Sequence, residues 1–432
     1  MLNSKYGSPL LNLYNKASKY LLLARRAVEV YSTKELVKRS VQRVIPSSWN
    51  LEISKNDFAQ QRERIFAEYG PKSSGSRNRV ILVTSNGAGL GHLTRVSAVA
   101  SRMKSETLIY TMSSAYSKIG WNKSQIVYFP SSGDLGMSSR AWNAFMAAHF
   151  MSVLETFLPD EVIFDGTFVY RGVVESTQRL GIPLTWLQRG CWKTEVDKSS
   201  FQRHHPETIC ERVIIPADFG SQERLEFVKS MQVEHVNPIT LVSAGEELDR
   251  QSACSALGLS AEKKNFLIQV GAGAINNTSS IRRLASKAVE ELGDDWQAVL
   301  VRNPLSNERF SNNQSFVQAF PLALYFKAFE AGLFAAGYNS VQESVQMGLP
   351  SVFIPNLKTK TDDQLRRARG IESKSLGLMA ETENELVEAI RALSKESVRE
   401  MIRSKMLASR LPNGAQAVAE ILDRPSNGKI VS

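Results

Sequence analysis

The chain has 432 residues, 43% of them hydrophobic and 22% charged, which is ordinary for a soluble globular protein of two or three domains with ample core. It has no apolar run of about eighteen residues, so no spanning helix is expected, and no signal peptide, because Leu21-Leu-Leu23 is too short. The net charge of +10 is concentrated in residues 1–45, where nine Lys or Arg stand against two Glu, and the near-balance of the rest argues against a nucleic-acid-binding body.

In the basic arm, Leu10, Leu13, Ala17, Leu21, Ala24, Val28 and Tyr31 recur at helical spacing, and Lys16, Lys19, Arg25 and Arg26 fall largely elsewhere around the helix. Residues 10–44 therefore suit either an anionic membrane surface or packing on the protein's own body. Pro71-Lys-Ser-Ser-Gly-Ser76 reads as a linker, so residues 1–77 form an extension.

A first compact domain is expected over residues 78–240. Val80 to Thr84 is a continuous apolar strand, Gly87-Ala-Gly-Leu-Gly-His92 a glycine-rich turn, and Leu93 to Met103 a helix. Strands near Leu108, Ile126, Val162 to Phe164, Leu184 to Leu187 and Arg212 to Ile215 alternate with helices such as Ala141 to Phe157 and Gly172 to Leu180. This alternation predicts a parallel, doubly wound α/β sheet. The cluster Trp142, Phe145 and Phe150 reads as helix core. The glycine spacing fits neither the dinucleotide fingerprint nor the P-loop. Cys191, Cys210 and Cys254 are scattered and odd in number, as in a reducing cytoplasm, and the histidines have no metal-ligand spacing.

A second domain, residues 241–432, repeats the opening. Phe266 to Val270 is a strand, Gly271-Ala-Gly-Ala274 a glycine turn, and a helix follows from about Ser279. Strands near Val299 and Phe316 lead to Ala331 to Ala336, then Gly337, a helix to about Met347 capped by Asn339 or Ser340, a strand from Ser351, and a loop with Asp362, Asp363 and Gln364. A helix opening at the end of a parallel strand aims free N–H groups and its positive dipole end outward, which suits phosphate. Glu343 lies one turn on, within reach of a neighbouring hydroxyl, and acids with an amide hydrogen-bond sugar hydroxyls. Ligands of such sheets sit at the carboxyl ends of the strands, here the cleft between the two domains.

Gly337-Tyr-Asn-Ser-Val-Gln-Glu343 with Asp363-Gln364 resembles the Gly-Trp-Asn-Ser-x-x-Glu and Asp-Gln elements of GT-B fold nucleotide-sugar glycosyltransferases. The chain looks similar to the branch of the bacterial peptidoglycan N-acetylglucosaminyltransferase over roughly residues 79–395. The resemblance implies two facing Rossmann-like domains. It assigns the donor diphosphate to Gly337, Asn339 and Ser340, with Gly89, Gly91, Gly271 and Gly273 in the loops bordering it. It gives the ribose to Glu343 and the donor sugar to Asp363 and Gln364. Plant-type members carry a phosphate-binding His at the position of Ala335, so here the diphosphate relies more on backbone N–H groups.

The expected chemistry is inverting, metal-independent transfer from a UDP- or dTDP-sugar to a hydroxyl acceptor, with no cofactor. His92, opening a helix whose dipole favours the neutral imidazole, and Asp165, ending a strand, are the candidate bases. Arg189, past another strand end, is the candidate for an anionic acceptor; Arg95 and Arg302 are weaker ones. The basic arm points to a lipid-linked or polysaccharide acceptor, and to a cytoplasmic protein peripheral on the inner membrane face. A UDP-sugar 2-epimerase of the same fold and a non-catalytic nucleotide-sugar-binding protein are the alternatives.

Overall fold

In a computed structural model, the described residues are 78–85, 90–118, 124–188, 190–221, 231–270, 278–302 and 315–424. The basic arm of residues 10–44, the glycines Gly89, Gly271 and Gly273, and Arg189 lie outside them.

Two parallel sheets organise the chain. The first is built from β1 (Arg79–Thr84), β2 (Glu106–Thr111), β3 (Gln125–Tyr128), β4 (Glu161–Asp165), β5 (Leu184–Leu187), β6 (Arg212–Pro216) and β7 (Gln232–Val236). Its order is β3-β2-β1-β4-β5-β6-β7, so the direction of winding reverses between β1 and β4. A ligand crevice opens at the carboxyl ends of strands at such a reversal. β1 is buried from Val80 to Thr84 and β4 along its whole length, which is why both read as unbroken apolar runs. The strand β7 lies in the stretch that the sequence reading passed over. Its exposed and partly exposed Gln232, Val233, Glu234 and His235 give it the weak signal of an edge strand.

Between these strands run helices α1 (Gly91–Ala100), α2 (Ser139–Phe157) and α3 (Arg171–Leu180). As expected, the Trp142, Phe145 and Phe150 cluster is packing: it surrounds Phe129 and Tyr110, with ring centroids 5.0 to 5.9 Å apart.

The second sheet consists of β8 (Lys264–Gln269), β9 (Trp296–Val301), β10 (Ser315–Val317), β11 (Ala331–Ala335), β12 (Ser351–Ile354) and β13 (Leu378–Met379), in the order β10-β9-β8-β11-β12-β13. Here the reversal falls between β8 and β11. Helices α4 (Thr278–Glu290), α5 (Tyr338–Met347), α6 (Gln364–Ser373), α7 (Glu383–Ser394) and α8 (Glu396–Ala408) accompany it. The last helix, α9 (Gly414–Asp423), returns to the first half. Its Ala415, Val418, Ala419 and Leu422 join the core of Val80, Leu82, Val96 and Ile109. Asp423 accepts from the backbone of Lys104 and Ser105, and Asn413 ties α9 to Thr240. Both sheets thus belong to one compact unit.

Candidate functional site

The stretch after β11 folds as its residues require. Gly337 is the cap of α5 in an extended conformation, and the helix begins at Tyr338. This corrects the expected capping. Asn339 and Ser340 lie inside the first turn and neither caps it, because the backbone turns at Gly337, two residues before the first of these polar side chains. Val341 N–H donates to the Gly337 carbonyl at 3.1 Å, whereas the N–H groups of Tyr338, Asn339 and Ser340 have no partner among the described residues. Three unpartnered donors at the positive end of a helix form an anion seat. At the other end, Gly348 takes φ +71°, and Leu349 N–H reaches back to the Ser344 carbonyl at 3.0 Å, closing the helix.

Asn339 uses its amide otherwise: Nδ2 donates to the Gly91 carbonyl at 3.1 Å, joining the first turn of α5 in the second half to the start of α1 in the first. Glu343 is partly buried and makes no hydrogen bond or ion pair among the described residues. Burial pushes its carboxyl up to about 7. A desolvated, unpartnered carboxyl near the amide seat has the chemistry to accept ligand hydroxyls.

Asp363 and Gln364 are already engaged. Asp363 caps α6 by accepting from Arg366 N–H at 3.0 Å, and Gln364 Oε1 accepts from Asn356 N–H at 3.0 Å. The loop that carries them is gripped from the first half. Lys193 N–H donates to the Thr361 carbonyl at 2.9 Å, Cys191 Sγ to the Asp363 carbonyl at 3.2 Å, and Arg366 to Thr194 Oγ1 at 2.8 Å. Burial pushes the Cys191 thiol up to about 12, so it stays a thiol donor.

On the facing side, His92 is the second residue of α1 and Asp165 the last of β4. The pairing of Thr84 with Asp165 in adjacent strands places both beyond the carboxyl end of the sheet. His92 Nδ1 and Asp165 Oδ1 are 3.2 Å apart. Arg95, one turn along α1, donates from Nε to Asp165 Oδ2 at 2.9 Å and from Nη2 to Oδ1, a two-pronged ion pair wholly removed from solvent on the carboxylate side. Burial resists ionisation of Asp165, but the Arg95 guanidinium and the His92 ring beside it bring the carboxyl down to about 2. Arg95, rated a weak acceptor candidate from sequence, is instead committed to this carboxylate. Arg302 stacks over Phe316, 3.9 Å from the ring centroid.

Three further residues carry no signal of their own in the sequence. Arg367 of α6 is fully buried. It donates to both oxygens of Asp218 at 2.8 to 3.1 Å, to Asp362 at 2.8 and 3.1 Å, and to the Ala336 carbonyl at 2.9 Å. Tyr338 lies between it and Arg95, with the two guanidinium carbons 6.0 and 5.2 Å from the ring centroid. The only hint was a pair of arginines in a row, Arg366 and Arg367, beside a pair of acids. Among the described residues no group of three or more His, Cys, Asp or Glu could hold a metal, and no helix is long and apolar enough to cross a membrane.

Residues 250–420 match the glycosyltransferase family 28 C-terminal domain. The chain is 26% identical over 292 residues to the UDP-N-acetylglucosamine–N-acetylmuramyl-(pentapeptide) pyrophosphoryl-undecaprenol N-acetylglucosamine transferase of Bacillus licheniformis, spanning 62% of this chain and 74% of that one. Among solved structures it is similar to Acinetobacter baumannii MurG (TM-score 0.54, 15% identity, 80% of this chain and 99% of that one). It is also similar to a UDP-glucosyltransferase from Polygonum tinctorium (TM-score 0.59, 15% identity, 81% of this chain and 99% of that one). The fold is GT-B, with its two sheets arranged as the sequence resemblance implied.

Proposed function

We propose that this chain, a GT-B glycosyltransferase near the MurG branch, transfers a sugar from a UDP- or dTDP-sugar to a hydroxyl acceptor with inversion and without a metal. The observation that carries the reading is the open amide turn of Tyr338, Asn339 and Ser340 with unpartnered Glu343 behind it. In this reading the turn holds the diphosphate, Glu343 the ribose, and Asp363 and Gln364 the sugar. The acceptor oxygen attacks the anomeric carbon, the bond to the diphosphate breaks, and the leaving charge falls on the helix N-terminus. The acceptor proton goes to His92 Nε2, because the hydrogen bond of Nδ1 to Asp165 fixes the ring and stabilises the imidazolium that forms.

In this reading residues 78–240, with α9 packed on them, serve the acceptor and the rest of 241–432 the donor, behind an extension of residues 1–77. A 2-epimerase would need several available carboxylates on the first-domain side. On that side Asp165 is held by Arg95 and Asp218 by Arg367, which favours the transferase. The acceptor is read as lipid-linked or polysaccharide, met at the inner face of the cell membrane with residues 10–44 on the anionic surface. Arg189 is kept as the acceptor's anion contact.

A thermal-shift panel of UDP-, dTDP- and GDP-sugars tests the donor class. One nucleotide series should stabilise the protein, and Glu343→Ala should abolish most of that shift. Unchanged ligand shifts in Glu343→Ala would remove the ribose assignment. Sedimentation with anionic vesicles, comparing the full chain with one starting at Arg79, tests the arm; equal binding overturns its role.

A further inference from the structure

We propose that Tyr338 is a positioning residue: acting through Arg95, its ring holds the His92–Asp165 pair in register with the first turn of α5. This rests on reading His92 and Asp165 as the base pair of the reaction.

Tyr338 is the first residue of α5, so its backbone belongs to the open amide turn while its side chain runs to the first half. The phenol oxygen accepts from Ile239 N–H at 3.0 Å, in the connection between the two sheets, which fixes the far end of the ring. The near-buried Arg95 guanidinium lies against the ring, 5.2 Å from its centroid, and spends its fork on Asp165. Arg367 flanks the ring at 6.0 Å and is itself neutralised by Asp218 and Asp362. A guanidinium has two requirements when buried: an anion for its N–H groups and a partner for its flat face. Asp165 meets the first and Tyr338 the second.

The chain of contacts then has a direction. A displacement of the α5 N-terminus moves the ring. The ring moves the Arg95 fork, and the fork turns the carboxylate that orients His92. An anion seated on the amide turn is thereby coupled to the base through neighbouring contacts, without touching it. Removing the aromatic face frees Arg95 to tilt, Asp165 rotates with it, and the Nδ1–H form of His92 loses its acceptor.

The five histidines make this measurable by 15N NMR of the histidine-labelled full chain at about pH 9, where imidazoles are largely neutral. His92 is assigned by its loss in His92→Gln. In Tyr338→Leu the ratio of Nδ1–H to Nε2–H forms of His92 should fall about three- to tenfold, with His149, His204, His205 and His235 unmoved. Tyr338→Phe, which keeps the face and loses only the hydroxyl, should restore the wild-type ratio. An unchanged His92 in Tyr338→Leu overturns the inference, as does a shift shared by all five, which marks a merely structural role. Should Tyr338→Leu not fold, Tyr338→Met, of similar volume and without a π face, carries the same expectation.

A second arm adds UDP, with binding followed by calorimetry. UDP should shift the His92 signal in wild type and not in Tyr338→Leu. A His92 shift that persists in Tyr338→Leu overturns the coupling. Absence of UDP binding by wild type counts against the nucleotide-sugar reading, and the ligand-free arm then still decides the role of Tyr338.

Discussion

Arg367 and Asp218 are fully buried against each other, 149 residues apart in sequence, with the guanidinium spanning both carboxylate oxygens at 2.8 to 3.1 Å. This pair, one member from each half, sets the attitude of α6 and of the loop before it. A charge pair so far from water is expensive to form, and removing one partner is more expensive still.

Asp218→Ala should therefore destabilise the protein by about 3–5 kcal/mol, since it leaves a buried guanidinium with Asp362 as its remaining carboxylate. Urea denaturation measures this. A loss below about 1 kcal/mol, the size of a surface pair, would show that Asp362 and solvent suffice.

The junction has a second, steric determinant. A Cβ at Gly370 of α6 would run into the Phe219 carbonyl, one residue from Asp218. Gly370→Ala is expected to push the two backbones apart, lowering Tm by several degrees or more, despite the better helix propensity of alanine. A rise in Tm would mean that the approach relaxes without strain.

Glu343 gives the ligand-free protein a pH signature. Its carboxyl is raised from an ordinary 4.5 to about 7 by burial. Below 4.5 the folded and unfolded chains both hold the proton. From there to about 7 only the folded chain does, so stability falls as pH rises and then levels. Glu343→Gln should abolish this part of the slope; a wild-type-minus-variant difference that is flat across the window contradicts it.

Asp165 works in the opposite sense. With its carboxyl lowered from 3.8 to about 2, its contribution is complete above 3.8 and is lost as pH falls toward 2. Asp165→Asn should flatten the acid limb of the stability curve in that range.

His92→Ala should lower turnover about 100- to 10,000-fold while donor affinity, read by calorimetry, changes little. Equal losses in both would place His92 in donor binding rather than in proton transfer.

Much of this architecture was legible in the chain. Continuous apolar runs such as Val80 to Thr84 and Phe266 to Val270 can be satisfied only as strands buried on both faces, and their alternation with helices leaves a parallel sheet as the solution. The strand–glycine–helix turn at Gly337 was legible too, because Gly337 and the residues after it act locally. Local pattern also misled: Asn339 looked like a cap, yet the backbone turns at Gly337 and its amide is spent on Gly91. The pairing of His92 with Asp165, the fork of Arg95, and the seating of Tyr338 between two guanidiniums were decided by tertiary structure alone. Except within α1 and between Tyr338 and Arg367, these groups are separated by 70 residues or more, and no periodicity encodes a distance between side chains on different elements. The sequence determined which elements form and where each half offers donors and acids. Burial and the meeting of two sheets decided which charges are spent on each other and which, like Glu343, have no partner among the described residues.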